Sequence, residues 1–518
     1  MSELPIDPML LETPAYVYDL ARVREAHGRL RATLPEPSTL YYSLKANSHP
    51  HVLRCLRELG TRAEVSSPGE LAAAAQAGFP AAELLYTGPG KRDGDVTAAV
   101  LAGVREFAVD SPHGLRQLDR IAAAHGAHVR CLLRINPERP VPGVGLAMTG
   151  VPSAFGADES WVAARPELFA GLSHTDLGGL HLYLSTNIGS EEHLAEQFTV
   201  AVEVARRVTG TLGIEPRVLD LGGGFGAPYA RAGELPAYPT LRSRLTALLD
   251  AGFPGWRCGR PRVAFESGRH LVGTCGFLVA RVLDVKPSHG RQVVVLDSGI
   301  NHLGGMSGLR RVPAVQPDLL RVPDRSGRAV TGRRVETLLA GPLCTPLDTW
   351  SRSAPLPEFR PGDLAVVPNV GAYGLSASLA LFLGHPLPQE VVVDGAVLVD
   401  VSRLSVRREP ASHHGHHRHH RQHSRAAAVK EDTMDDRFVT LLRPFLRFLP
   451  EGRALGPDDR LHDLGLDSMQ AIELLFAVED TFGVSLPDEK LTDATFETAG
   501  SLWQAIVETA PDAVGSRS

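Results

Sequence analysis

Cysteine is scarce in this chain: Cys55, Cys131, Cys258, Cys275 and Cys344 are five scattered residues with no Cys-x-x-Cys pair. A disulfide framework and a structural zinc site are thereby excluded as the basis of the fold, no metal is expected, and a reducing cytoplasm is the expected compartment. Long apolar runs are missing too. The longest uncharged stretch, Leu364 to Gln389, is broken by Pro368, Asn369, Gly371, Gly374 and His385, so no membrane span is expected. The opening MSELPIDPM has neither a basic nor an apolar region of the kind a signal peptide needs. What is present is an ordinary globular composition, 43% hydrophobic and 22% charged, over 518 residues, enough for about three domains.

Charge divides the chain unevenly. Residues 431–512 hold 18 Asp/Glu and 6 Lys/Arg, a net of −12 against −6 for the whole, which leaves +6 for the remainder. An acidic tail on a mildly basic body marks a domain boundary, and such a tail would repel nucleic-acid phosphates. Between the two lies a linker, residues 406–430, with seven histidines from His413 to His423. It reads as a polar connector or a tag remnant, since no carboxylate or Cys completes a metal site there.

Upstream, eight short apolar runs recur with Ala-rich amphipathic stretches such as Gly69–Ala77 between them. They are Leu40–Leu44, Thr61–Val65, Leu84–Tyr86, Glu106–Val109, Val129–Ile135, Gly179–Tyr183, Val218–Leu221 and Arg262–Glu266. Repeated βα units of this number predict an α/β fold, a (β/α)₈ barrel over residues 36–280. Chemistry in such barrels sits at the C-terminal strand ends, where Lys45, Glu64, the 181–186 segment, Gly222–Gly224 and Glu266 fall. Residues 281–405 are β-rich with Gly/Pro turns and read as a separate β domain. The strand-like Pro14–Asp19, within an N-terminal segment 1–35, is expected to join it.

Three motifs carry chemistry. Lys45, in Tyr42-Ser-Leu-Lys45-Ala-Asn47, follows a strand; such a lysine is ordinarily a solvated charge, but at a barrel mouth it can be desolvated for Schiff-base chemistry. The run Gly222-Gly223-Gly224 after the seventh strand is either a simple turn or a backbone cradle for phosphate. Glu266-Ser-Gly268-Arg269 after the eighth adds a carboxylate, a permissive backbone and a guanidinium.

Together with AEVSSPGEL, LLRINP, GPLCTPLD and GAYG, these motifs make residues 10–405 resemble the fold-type III pyridoxal phosphate (PLP) decarboxylases, the group of diaminopimelate, ornithine and arginine decarboxylases. The resemblance implies that Lys45 holds the cofactor covalently. It implies a phosphate site of Gly222, Gly223, Gly224, Gly268, Arg269 and Tyr373, and Glu266 at the pyridine nitrogen, where a carboxylate keeps the ring an electron sink. It further implies that Cys344 protonates the substrate carbon after CO₂ departs, and that a homodimer completes each site, with Cys344 and Tyr373 coming from the subunit opposite Lys45. Departures are informative. Thr345 stands where diamino-acid enzymes carry an acid, so Thr345 and Asp348 become the expected substrate contacts. His181-Leu-Tyr183-Leu-Ser-Thr186 replaces the common His-x-Gly-Ser, which puts Tyr183 in the ring-stacking place and Thr186, or Ser190, at the phosphate. His181 and Glu64 complete the expected cofactor contacts. Ser153-Ala-Phe-Gly lacks the usual Lys.

The tail, residues 431–512, carries Asp463-Leu-Gly-Leu-Asp467-Ser468-Met469 ahead of a helical pattern. Asp-Ser is also an ordinary helix cap, yet LGLDSM in an acidic region closely resembles an acyl or peptidyl carrier protein. That implies a small four-helix domain with 4′-phosphopantetheine on Ser468, a phosphopantetheinyl transferase, an amino acid-loading enzyme and a downstream acyltransferase or synthase. The combined expectation is a PLP-dependent decarboxylase of an amino acid held on its own carrier, similar to glutamyl-carrier-protein decarboxylases, in secondary metabolism. Decarboxylation of a free amino acid with the carrier acting downstream, a racemase or epimerase, and a silent carrier-docking module are the alternatives.

Overall fold

The computed structural model describes residues 4–139, 152–170, 172–304, 317–322 and 334–407, and in the tail 434–446, 448–450, 453–466, 474, 477–478, 481–482 and 495–509. Two compact units are present, residues 1–409 and 410–518.

In the first unit β1 (Ala15–Asp19) precedes β2 (Thr39–Ser43), β3 (Arg62–Val65), β4 (Leu84–Tyr86), β5 (Glu106–Val109) and β6 (Val129–Asn136). A two-residue β7 (Ala157–Asp158), then β8 (Thr175–His181), β9 (Val218–Asp220) and β10 (Arg262–Ser267), follow. Strands β2, β3, β4, β5, β6, β8, β9 and β10 pair in parallel in that order, and β10 returns to β2, closing the barrel. The eight apolar runs are thus its eight staves. Inside, Tyr41, Leu85, Ala108, Leu132, Val218 and Ala264 form one packed layer.

The turns between strand and helix use the same local chemistry repeatedly. Ser67 and Ser111 each cap a helix whose first residue is Pro, because the missing Pro N–H is one the first turn would leave unpaired. Glu70 also reaches back to the Ser66 N–H at 2.6 Å. These caps stop each strand sharply and fix where its last side chains point.

At the barrel's N-terminal end Glu106 accepts from Arg130 (2.6 Å), from Arg262 (2.7 Å to each oxygen) and from the Tyr41 hydroxyl (2.9 Å). Burial alone would lift its carboxyl; Arg262, Tyr41 and Arg130 bring it below the usual carboxylate range.

The second sheet comprises β1 with β11 (Gly276–Ser288), β12 (Arg291–Leu296), β13 (Leu320–Val322), β14 (Arg334–Ala340), β15 (Thr349–Pro357), β16 (Leu364–Pro368), β17 (Gln389–Asp394) and β18 (Val397–Arg403). Strand β1 lies between β11, antiparallel, and β17, parallel, so Pro14–Asp19 joins the β domain as its pattern predicts. The expected boundary at residue 280 falls inside β11. The helix Leu20–Thr33 packs on barrel helices Pro50–Glu58 and Leu241–Gly252, so the expected 1–35 segment is shared between sheet and barrel.

In the tail, helices Asp436–Leu442 and Ala499–Thr509 share a core with Leu474, Val478 and Phe482, spaced four apart on one helical face. Phe438 and Trp503 rings lie 5.0 Å apart, and Phe482 and Trp503 5.7 Å. Ser468 and the His-rich linker lie outside the described residues.

Candidate active site

The strand order brings the C-terminal ends of β2, β8, β9 and β10 around a cleft lined by Lys45, Tyr183, Thr186, Glu266, Arg269 and Tyr373 among others. A larger, open hollow lies at the other end of the staves, against Val129 and Thr175, away from every motif residue.

Lys45 stands on a single turn, Leu44–Ala46, directly after β2. Its ammonium is 3.3 and 3.4 Å from the two Glu64 oxygens and 5.9 Å from the Tyr183 ring centre. The register of Ser43 with Glu64 across β2 and β3 sets this meeting, and the Thr87 hydroxyl donates to Glu64 at 2.7 Å. Burial pushes the amine down and the carboxyl up, but their attraction reverses both: Lys45 is raised and Glu64 is held down at about 2.

On the opposite side Gly222 and Gly224 adopt left-handed backbone, φ 66° and 105°. A Cβ on Gly222 would lie 2.5 Å from the Leu182 carbonyl, and one on Gly223 2.3 Å from that of Glu266. The glycine run is therefore pressed between β8 and β10, as no other residue type permits. Arg269 lies over the rings of Tyr373 (4.6 Å) and Tyr229 (5.5 Å). Tyr373 donates its N–H to the Ala46 carbonyl at 2.8 Å, which ties this side to the Lys45 turn. Ser267 Oγ and Arg269 Nε are buried without a hydrogen-bond partner. Thr186 lines the cleft, whereas Ser190 caps the helix Glu191–Leu212.

Three expectations change. Tyr373 lines the Lys45 cleft of its own chain and needs no partner subunit to reach it. His181 does not line the cleft; it lies behind Glu266, its Nε2 3.0 Å from Oε1. Asp348 is buried and spends its carboxylate on the chain, accepting from Ile300 N–H (2.8 Å) and Leu343 N–H (2.7 Å), so it braces the Gly341–Asp348 loop instead of meeting substrate. Thr345 lies on that same loop beside Cys344, its hydroxyl accepting from Leu347 N–H. The loop presents Cys344 exposed, outside the cleft that Lys45 lines.

Two further groups are not among the expected site residues. Arg134, two residues before the end of β6, lies 5.8 Å from the Tyr183 ring centre and 4.5 Å from that of Phe155. Asp220 closes β9, fully buried. The signal for Asp220 is an acid ending an apolar strand just before three glycines, where nothing apolar is gained by it.

A parallel eight-stranded barrel with a lysine, a buried glutamate and a glycine cradle around one cleft, followed by a β domain, defines a class: barrel enzymes built to hold a phosphorylated aromatic cofactor. The comparisons fix the family. The pattern described as "Pyridoxal-dependent decarboxylase, pyridoxal binding domain" matches residues 20–273, and "Phosphopantetheine attachment site" matches residues 436–506. An L-glutamyl-[BtrI acyl-carrier protein] decarboxylase of Niallia circulans is 33% identical over 387 residues, 74% of this chain and 89% of that protein. A diaminopimelate decarboxylase of Methanothermobacter thermautotrophicus is 32% identical over 394 residues, 74% of this chain and 86% of that one. The solved diaminopimelate decarboxylase of Helicobacter pylori, complexed with L-lysine, shares the fold with TM-score 0.65 at 24% identity, covering 76% of this chain and 94% of that one. The chain belongs to the PLP-dependent amino acid decarboxylases and carries a carrier-protein domain at its C-terminus.

The residues present fit PLP. Buried donors without a hydrogen-bond partner at Ser267 and Arg269 beside a glycine cradle suit a phosphate, the Glu266 carboxylate lining the cleft suits a ring nitrogen, and Lys45 suits the aldehyde carbon.

Proposed function

We propose that this enzyme removes CO₂ from the α-carbon of an amino acid, of glutamyl type, held as a thioester on its own carrier domain. The carrier fused to the decarboxylase carries this reading, supported by the relative that acts on an L-glutamyl acyl-carrier protein. A glutamyl group joined through its γ-carboxyl keeps its α-amine and α-carboxylate free, as α-decarboxylation requires.

Lys45, Glu266, Gly222, Gly223, Gly224, Gly268, Arg269, Thr186 and Tyr373 would hold the cofactor, which when bound supplies an electron sink for the carbanion left at the α-carbon. Glu64 keeps Lys45 placed between β2 and β3. Tyr183 covers one face of the cleft and limits water entry. Cys344 returns a proton to the α-carbon; its exposure outside the cleft in its own chain suits delivery into a partner's cleft in a homodimer. Ser468 carries 4′-phosphopantetheine, installed by a phosphopantetheinyl transferase and charged by a loading enzyme, and a downstream acyltransferase or synthase takes the product. The cytoplasm, with its reduced thiols, suits Cys344.

Intact-protein mass spectrometry of the phosphopantetheinylated chain, loaded with glutamate, tests this. The loaded species should lose one CO₂, and Ser468→Ala protein should carry no load and release none. A loaded chain that keeps its mass with PLP bound would overturn the proposal. Mixing Lys45→Ala with Cys344→Ala protein should restore activity through the one wild-type site of the hybrid dimer.

A further inference from the structure

Behind the cleft, Asp220 at the end of β9, His181 at the end of β8 and Glu266 on β10 place ionisable atoms within 4.8 Å of one another, and none is more than 1% exposed. The register of His181 with Asp220 holds the pair together. One Asp220 oxygen accepts the Gly222 N–H at 2.9 Å; the other has no partner. His181 Nε2 and Glu266 Oε1 are 3.0 Å apart.

The charges do not balance. Two carboxylates share one imidazole where no water reaches, and an uncompensated buried charge is costly. Burial first, then the Glu266 charge, pushes the Asp220 carboxyl up to about 7, against His181 and the Gly222 N–H; Glu64 on β3 adds to the rise. Burial lowers the His181 imidazole, but Glu266 and then Asp220 raise it on balance, against Arg134 on β6. Glu266 faces the cleft and Asp220 does not. The group that keeps the spare proton is therefore the one farther from the ligand.

We propose that Asp220 is a positioning residue that stores, behind His181, the proton required when a pyridine nitrogen docks on Glu266. This rests on the placement of Glu266 at the ring nitrogen given above. The balance is closed: Asp220 loses its O–H proton and becomes a carboxylate, the ring nitrogen gains one proton, His181 passes it on and ends as it began. The net charge of the cluster is the same before and after, and no proton is exchanged with solvent. The residue that sets cofactor electronics is then reached through two others.

Cofactor labelled with nitrogen-15 in its ring reports the ring proton by chemical shift, without turnover. In wild-type protein the ring nitrogen should stay protonated well above neutral pH. In Asp220→Asn its titration midpoint should fall by about one pH unit, a tenfold loss of proton affinity, and Asp220→Glu should restore it. A second reading needs no variant: with carbon-13 in the aspartate carboxyls, one buried carboxyl of the PLP-free protein should be protonated at pH 6 and ionise when PLP is added. A wild-type titration in Asp220→Asn, or no carboxyl that ionises on loading, overturns the role of Asp220. If Glu266→Gln also leaves the nitrogen unchanged, the placement of Glu266 itself falls, and the inference with it.

Discussion

The two ends of the barrel solve mirror-image charge problems differently. At the N-terminal end one carboxylate, Glu106, lies between two guanidiniums, Arg130 and Arg262, and both its oxygens are hydrogen-bonded. Those arginines are 34% and 24% exposed, so their excess charge is solvated. At the C-terminal end two carboxylates share His181, all sealed, and polar atoms of Asp220, Ser267 and Arg269 have no hydrogen-bond partner. Buried polar groups are normally satisfied. Arg130 Nε and Thr175 Oγ1 are exceptions at the N-terminal end, but those at Ser267 and Arg269 belong to residues that line the Lys45 cleft, which marks that end as the one built for a ligand.

Substitutions at the two ends should therefore fail in different assays. Lys45→Ala should have the largest effect on chemistry, reducing turnover below detection and removing the visible absorbance of bound PLP, with an unchanged far-UV circular dichroism spectrum. Glu266→Ala should keep some cofactor but lose turnover on the order of 10²–10³-fold, the scale of losing one preorganised electrostatic partner. Glu106→Ala should do the reverse: the lost hydrogen bonds from Arg130, Arg262 and Tyr41 should cost about 1–3 kcal/mol in a denaturant melt, while kcat of the folded fraction is retained. If Glu106→Ala lowers kcat without changing the melt, the division between the ends is wrong.

Smaller effects sharpen the contrast. Asp348→Ala should cost about 1–3 kcal/mol, since two backbone N–H groups lose their acceptor, and should lower turnover by displacing Cys344 without altering the PLP spectrum. The acid–base profile of the PLP-free protein should show two opposite slopes. Glu64, held down at about 2 against an unfolded value of about 4.3, contributes stability above the unfolded value that is lost as pH falls towards 2. Asp220, raised to about 7, stays protonated in the fold while the unfolded chain ionises, so its contribution declines as pH rises from about 4 to 7. Glu64→Gln should flatten the first slope and Asp220→Asn the second, in melts repeated across pH.

The barrel was legible because eight strands that face a core on both sides must read as short apolar runs, and the capping Ser-Pro pairs punctuate them. Lys45, the glycine run and Glu266 were legible because each is an anomaly at a strand end. Asp348 misled, because a carboxylate four residues after Cys344 in a turn-rich loop reads like a substrate contact until the fold shows Ile300 and Leu343 N–H groups aimed at it. Tyr373 misled in the same manner: only the contact between its N–H and Ala46 shows that one chain brings it to the Lys45 turn. His181 was found by pattern but placed one layer too far forward. Asp220 went unread, since a single buried acid acquires meaning only when β8 and β10 bring it to His181 and Glu266.

The account depends most on the carrier delivering the substrate. A competition within one reaction tests it: the wild-type chain is loaded on Ser468 with glutamate labelled with carbon-13 at the α-carboxyl, and unlabelled free glutamate is added in excess. The first CO₂ released should carry the label, and its amount should match the loaded chain. Unlabelled CO₂ from the free pool, at the same rate with Ser468→Ala protein, would contradict the claim and place the carrier after the chemistry.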